Sequence, residues 1–136
     1  MDMSQGAETR VRDIMQTGVA TVSPELPITS FHEFLTGEEI GGAPVVDQHG
    51  SLQGVASKTD IVNFLATDPA FLNDEVLQGV TVAEIMTQGA FTVDINEPVD
   101  EVARKMVDNS VHRVIVVDSE KVCGIVTTFD LLKMLF

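Results

Sequence analysis

Hydrophobic and polar positions along this chain follow two periods, and the same succession of periods is played out twice. Val99, Val102, Ala103, Met106 and Val107 recur at helical spacing with Asp100, Glu101, Arg104 and Lys105 on the other side, which predicts an amphipathic helix over 99–107. Ile28, Phe31, Phe34 and Leu35 give the same signal over 28–35. Gly37 follows closely, so this earlier helix is expected to be the shorter and weaker of the two. Behind each helix come two apolar runs separated by a polar turn, at Asp47-Gln-His-Gly50 and at Asp118-Ser-Glu-Lys121, the pattern of paired strands. An apolar stretch then closes each half as a helix, at 59–65 and at 129–136. A short strand is expected ahead of each half's first helix, at Thr21-Val22 and at 90–93. Between the halves, Asp68-Pro69 can cap and start a short helix with Phe71, Leu72, Val76 and Leu77 as its buried side.

The two halves are copies in sequence as well as in pattern. Val11-Arg-Asp-Ile-Met15 matches Val82-Ala-Glu-Ile-Met86, Thr21-Val22 matches Thr92-Val93, Pro27 matches Pro98, and Ala43-Pro-Val-Val-Asp47 matches Val114-Ile-Val-Val-Asp118, all at an offset of 71. Past the turn the offset falls to 70, where Gly54-Val-Ala-Ser-Lys-Thr-Asp60 faces Gly124-Ile-Val-Thr-Thr-Phe-Asp130. The slip lies between two strands, where a hairpin loop absorbs it. Each copy reads as a β-α-β-β-α unit, so the fold class is mixed α/β. One unit leaves a sheet face uncovered, and two units packed sheet against sheet cover both. The organisation that follows is a flexible arm over 1–10, a first motif over 11–66, a linker over 67–79 and a second motif over 80–136.

Composition narrows the range of functions. Twenty-one acidic residues against eight basic ones leave a net charge of −13, which repels a phosphate backbone, so nucleic acid is not an expected partner. A small anionic ligand would have to be held by a local grouping of basic side chains and backbone N–H groups. A single cysteine, Cys123, excludes an intrachain disulfide and a Cys-based metal cluster, and fits a reducing compartment. In its apolar strand it reads as a small buried thiol. Met1 to Glu8 has neither a basic region nor an apolar run, and no apolar stretch approaches the roughly 18 residues of a membrane span. The expectation is a cytoplasmic protein with no membrane partner.

Candidate chemistry concentrates in His112 to Asp130 and in its partial copy, Gly41 to Asp60. His112 and Arg113 precede a strand, and Thr127-x-x-Asp130 opens a helix, a setting suited to a phosphate or another anion at the helix N-terminus. Ser57-x-x-Asp60 and Thr127-x-x-Asp130 also fit a capping box, which by itself explains all four residues. The three histidines have no metal-ligand spacing, so no metal site is expected. No Ser-His-Asp order, paired-carboxylate cleft or Gly-rich phosphate loop emerges, and catalytic residues are not expected.

An Asp/Glu-Ile-Met start, a Thr-Val strand, a strand ending Val-Val-Asp, and Gly-hydrophobic-x-Ser/Thr-x-x-Asp before the last helix, all occurring twice, resemble a tandem pair of cystathionine β-synthase (CBS) domains, the Bateman module. The resemblance covers about Val11 to Phe136. It implies a pseudo-twofold pair of units with two clefts between them, a homodimer, and a regulatory role that requires no cofactor. It also implies an adenosyl ligand: AMP, ADP, ATP or S-adenosylmethionine. On that analogy Asp130 and Asp60 hold ribose hydroxyls, Thr127 and Ser57 face phosphates, Thr92-Val93 and Thr21-Val22 flank the adenine, and His112 and Arg113 meet phosphates. The first copy departs from the pattern, because Gly41-Gly42 stand where the second has His112-Arg113, so the sites are expected to be unequal.

The leading expectation is therefore a non-catalytic sensor that binds an adenosyl ligand and signals to a separate regulated protein, which the sequence does not identify. The alternative is a ligand-independent interaction or dimerisation module whose clefts are empty or structural. The apolar faces of the last helices, 61–65 and 131–136, are the expected dimer surface, with Leu135-Phe136 packed.

Overall fold

The computed structural model describes residues 9–135. Of the arm expected over 1–10, residues 1–8 lie outside that range, as does the packing expected of Phe136. Thr9 and Arg10 are already engaged: the Thr9 carbonyl accepts from Val99 N–H at 2.9 Å, and Arg10 bridges Pro98.

The chain divides into two compact units whose boundaries cut across the sequence repeats. One comprises residues Ala20–Ala90; the other joins the chain up to Val19 with the chain from Phe91 on. The opening Ile-Met segment of each sequence repeat thus belongs to the unit built mainly from the other. Val80, Val82 and Ile85 enter the same core as Val22, Ile28, Phe31, Leu35, Val45 and Ile61. Val11, flanked by Ile14 and Met15, joins Val93, Val102, Met106, Val114, Val116 and Val126.

In the 20–90 unit, helix α1 (Ile28–Glu38) precedes the antiparallel pair β1 (Gly42–Val46) and β2 (Leu52–Ser57), then α2 (Lys58–Leu65), a 3₁₀ turn at Pro69–Leu72, and the short helices α3 (Asp74–Leu77) and α4 (Val82–Ile85). The other unit holds a 3₁₀ turn at Val11–Asp13, β3 (Thr92–Asp94), α5 (Val99–Asp108), the hairpin β4 (Arg113–Asp118) and β5 (Lys121–Thr127), α6 (Thr128–Leu132) and a final 3₁₀ turn at Lys133–Leu135. β3 pairs parallel with β4, giving a three-stranded sheet. Its counterpart at Thr21-Val22 makes only one bridge, Val22 to Val45, and the strand expected there does not develop.

The repeat extends to irregularities. Both hairpins carry a register shift at matched positions, Val45/Val46 and Val116/Val117, which leaves Gln53 and Cys123 unpaired in the ladder. The offset slip is also visible: five residues separate Val46 from its partner Leu52, whereas the other hairpin turns directly from Asp118 to Lys121 through Ser119 and Glu120, both at positive φ.

Two expectations are corrected. Helix α1 runs 11 residues and α5 only 10, so the first copy's helix is not the shorter one. Both helices end in the same way, at a left-handed Glu39 or Ser110, with Ile40 N–H returning to Leu35 O and Val111 N–H to Met106 O at 3.0 Å. That closure sets their length. A glycine inside α1 costs about 1 kcal/mol, less than the burial of Ile28, Phe31 and Leu35 supplies. In the linker, Leu72 and Val76 are exposed; only the half-buried Phe71, against the Phe64 ring at 4.4 Å, and Leu77 face the core. Leu135, placed on the expected dimer surface, is 55% exposed in the single chain.

Candidate functional site

The two Ser/Thr-x-x-Asp elements form where expected, and each is a capping box. The Ser57 N–H and hydroxyl donate to Asp60 Oδ2 at 2.8 and 3.0 Å, while Asp60 N–H donates to Ser57 Oγ at 3.2 Å. The Thr127 N–H and hydroxyl reach Asp130 Oδ2 at 2.9 and 3.1 Å, with Asp130 N–H on Thr127 Oγ1 at 3.3 Å. In both elements the cap engages one carboxylate oxygen, Oδ2, and makes no use of Oδ1.

Beyond the cap the two acids differ. Asp130 is only 3% exposed and is the buried charged residue of its unit. The Gln16 amide donates to Oδ1 and Oδ2, each at 3.1 Å, and the Lys133 ammonium lies 3.6 Å from Oδ1. Burial alone would raise its pKa. The Thr127 N–H, the Gln16 amide, the Thr127 hydroxyl and the Lys133 charge outweigh that, and the group titrates below the usual carboxylate range. Asp60 is half-buried, and its Oδ1 has no partner among the described residues.

The backbone around both acids is the same. Gln16 and Ile125 exchange N–H···O bonds at 2.8 and 3.0 Å, as do Thr87 and Val55. Gln16 therefore closes the free edge of β5 beside Asp130, and Thr87 closes that of β2 beside Asp60. Close approach is possible because matched glycines lie beneath: a Cβ on Gly124 would meet Met15 Sδ at 2.5 Å, and one on Gly54 would meet Thr87 O at 2.7 Å.

The remaining sequence candidates divide by side-chain direction. Val93 and Val22 are core residues, 2% and 6% exposed, so little of either side chain is open to a ligand. Both backbone groups of Val22 are also used, its N–H on Pro44 O and its carbonyl by Val46 N–H. Thr92 pairs with Ile115, and Arg113 with Thr127, on the sheet face opposite the core, about 7 Å apart along β4. His112 and Arg113 are exposed and without a side-chain partner among the described residues. The anion seat expected at the helix N-terminus is already filled from within: Thr128 N–H donates to His112 O at 2.9 Å and Asp130 N–H to Thr127 Oγ1, an arrangement repeated by Lys58 N–H on Gly41 O. Thr21 and Val22 line a hollow of about 520 Å³ with Asp47 and His49, whereas Ser57, about 10 Å away along β1, does not reach it.

Gln16 and Lys133 are site residues that reasoning from sequence passed over. Gln16 follows the matched Ile-Met, but its own counterpart is Thr87, so the repeat comparison gave no cue. Lys133 stands three residues after Asp130, a helical spacing that could have flagged the ion pair. Cys123 is half-buried, with its thiol donating to Val116 O at 3.4 Å. Burial, then Asp118 and Asp94, push its pKa up against the pull of Arg12, which keeps it a protonated, poor nucleophile.

Comparison with known proteins agrees with the doubled element. A family model for the CBS domain matches residues 11–67 and again 82–136. The chain belongs to the CBS domain family. The L-aspartate semialdehyde sulfurtransferase of Methanocaldococcus jannaschii is 34% identical over 127 residues, which is 93% of this chain but 23% of that protein. The CBS chain thus spans about a quarter of that enzyme's length. A CBS domain pair solved with 5′-methylthioadenosine and S-adenosyl-L-methionine is 34% identical with a TM-score of 0.72, covering 93% of this chain and 95% of that one. CBSX2 in complex with AMP is 25% identical with a TM-score of 0.76 over the same shares. Among the described residues no helix is long and apolar enough to cross a membrane.

Proposed function

We propose that this CBS pair is a regulatory module that binds an adenosyl compound at each Ser/Thr-x-x-Asp group and passes the bound state to a separate protein. One observation carries the reading: the cap uses only Oδ2 of Asp60 and Asp130, so capping and ribose recognition are compatible roles for one carboxylate. An ionised carboxylate offers about four lone-pair positions, and a ribose diol needs two. The solved relatives with methylthioadenosine, S-adenosylmethionine and AMP share the adenosine moiety and differ at its 5′ end. A binding group fixed on the ribose fits that tolerance.

Charge orders the ligands. His112 and Arg113 stand beside Thr127, so AMP suits the Asp130 group. The matching place in the 20–90 unit is Gly41-Gly42 with only Lys58 nearby, and it suits an uncharged or cationic 5′ substituent, as in methylthioadenosine or S-adenosylmethionine. A chain of net charge −13 disfavours ADP and ATP at both.

The test is titration calorimetry of the purified protein with 5′-methylthioadenosine, S-adenosylmethionine, AMP, ADP and ATP. Saturable heat is expected with the first three, with the Asp60→Ala and Asp130→Ala proteins each losing one site. Each substitution removes a cap worth about 1 kcal/mol, so circular dichroism should still show folded protein. The interaction-module reading has its own support, in that every Asp130 oxygen is already bonded within the chain. Silence across all five compounds would favour it and end the sensor reading.

The dimer is part of the same proposal. The last helix of each unit leaves apolar side chains in solvent: Phe129 at 65% and Leu132 at 52% in one, Val62 at 63% in the other. Sedimentation equilibrium should give twice the chain mass, and Phe129→Glu with Leu132→Glu should give the monomer. A monomeric unsubstituted protein at micromolar concentration would remove the dimer from the proposal.

A further inference from the structure

We infer that Gln16 sets the ligand affinity of the Asp130 group by holding the carboxylate positions a ribose diol needs, and that Thr87 at the equivalent place leaves Asp60 open. The inference rests on the adenosyl-binding reading and adds which site is ready and what makes the other one reluctant. Asp130 accepts from Thr127 N–H, the Thr127 hydroxyl and Gln16 twice, with Lys133 close to Oδ1. Three of those donors converge on Oδ2, and the Gln16 amide with the Lys133 charge covers Oδ1, so neither oxygen is free. Among the described residues, Asp60 accepts from Ser57 N–H and hydroxyl alone. Two hydroxyls can therefore add to Asp60 directly, whereas at Asp130 they must displace the Gln16 amide.

The orientation of that amide follows from its partner. A carboxylate only accepts, so the Nε2 group and not the carbonyl faces both oxygens. Gln16 is placed there by backbone, since its N–H and carbonyl are both bonded to Ile125 while its Nε2 spans Asp130. The Thr87–Val55 exchange has the same 2.8 and 3.0 Å distances. A longer side chain at 87 is thus carried on the same frame beside Asp60, so this one difference between the sites can be transferred. The residue with basic neighbours, Asp130, is the guarded one, and the residue without them is open.

The experiment isolates each site in the full chain. With Asp60→Ala removing the open site, adding Gln16→Thr should tighten AMP binding about tenfold, the equivalent of one charge-assisted hydrogen bond no longer given up by the protein. With Asp130→Ala removing the guarded site, Thr87→Gln should weaken methylthioadenosine binding by a similar factor. A purely structural role for Gln16 would leave affinity unchanged or lower it, and either result overturns the proposal. A carboxyl-carbon NMR titration of Asp130 supplies a reading independent of ligand. In the Gln16→Thr protein the pKa should move up toward the ordinary range as a donor is lost, and an unmoved pKa overturns the contact itself. Binding lost in Asp130→Ala but indifferent to Gln16→Thr would sink the guard and spare the adenosyl reading. Absence of binding in every protein, Gln16→Thr included, would sink both.

Discussion

Replacing Phe31 with alanine should cost the protein about 3–5 kcal/mol, enough to leave little of the stability of an ordinary small domain. Phe31 is fully buried at the centre of α1, with Ile28 and Leu35 on the same face and Val22, Val45, Ile61, Val82 and Ile85 around it. Ring removal forfeits the transfer term, and the cavity left behind adds to it. Collapse is restricted because the surroundings come from five places in the sequence: α1, the Val22 bridge, β1, α2 and α4. Two of those residues, Val82 and Ile85, belong to the second sequence repeat, so the loss also loosens the segment that carries Thr87 to the edge of β2. Urea denaturation should show a lower midpoint. The control is Val107→Ala at a 78% exposed position, expected to shift stability by no more than about 0.5 kcal/mol. A Phe31→Ala protein within about 1 kcal/mol of the parent would mean that this core repacks freely, contrary to the close packing expected of it.

The legible parts of this chain were those with a period or a repeat. Helix α5 could be read to within a residue because Val99, Val102 and Met106 fall on one stripe. The capping boxes could be read because a hydroxyl and an acid three residues apart carry their geometry with them. The length of helix α1 is not legible, because a local glycine penalty says nothing of the tertiary burial of Ile28, Phe31 and Leu35 that opposes it. The exchange of Ile-Met segments between units was not legible either: Val11 and Val82 announce that they are buried, but nothing in an apolar residue says which of two similar cores it enters. At the site, the inequality of the two acids is legible only in part, through Gly41-Gly42 against His112-Arg113 and Asn63 against Lys133. The part that is not legible lies in Gln16 and Thr87, more than 25 residues away from either acid and set beside them only by pairing with Ile125 and Val55.

The matched glycines give the second large effect, and here the sign itself is at issue. Alanine in place of a glycine whose backbone is not left-handed ordinarily stabilises by about 0.4–1 kcal/mol through the unfolded chain. Gly54→Ala and Gly124→Ala should instead destabilise, by about 1–3 kcal/mol, because the added methyl has no room. At Gly54 it would stand 2.7 Å from Thr87 O, a backbone oxygen that accepts from Val55 N–H and cannot move without breaking that bond. At Gly124 it would meet Met15 Sδ at 2.5 Å and Gln16 O at 3.0 Å. The thioether can swing aside, and only the second contact presses on backbone, so Gly124→Ala should be the milder change. Thermal unfolding of the two proteins should rank them in that order, both below the parent. The milder one is also the more informative, since moving Gln16 off the β5 edge draws its amide away from Asp130. Gly124→Ala should therefore bind AMP more tightly while being less stable, a pairing that loss of packing alone would not produce. Equal or weaker binding would show that Gln16 keeps its hold on Asp130 through side-chain adjustment while its backbone is displaced.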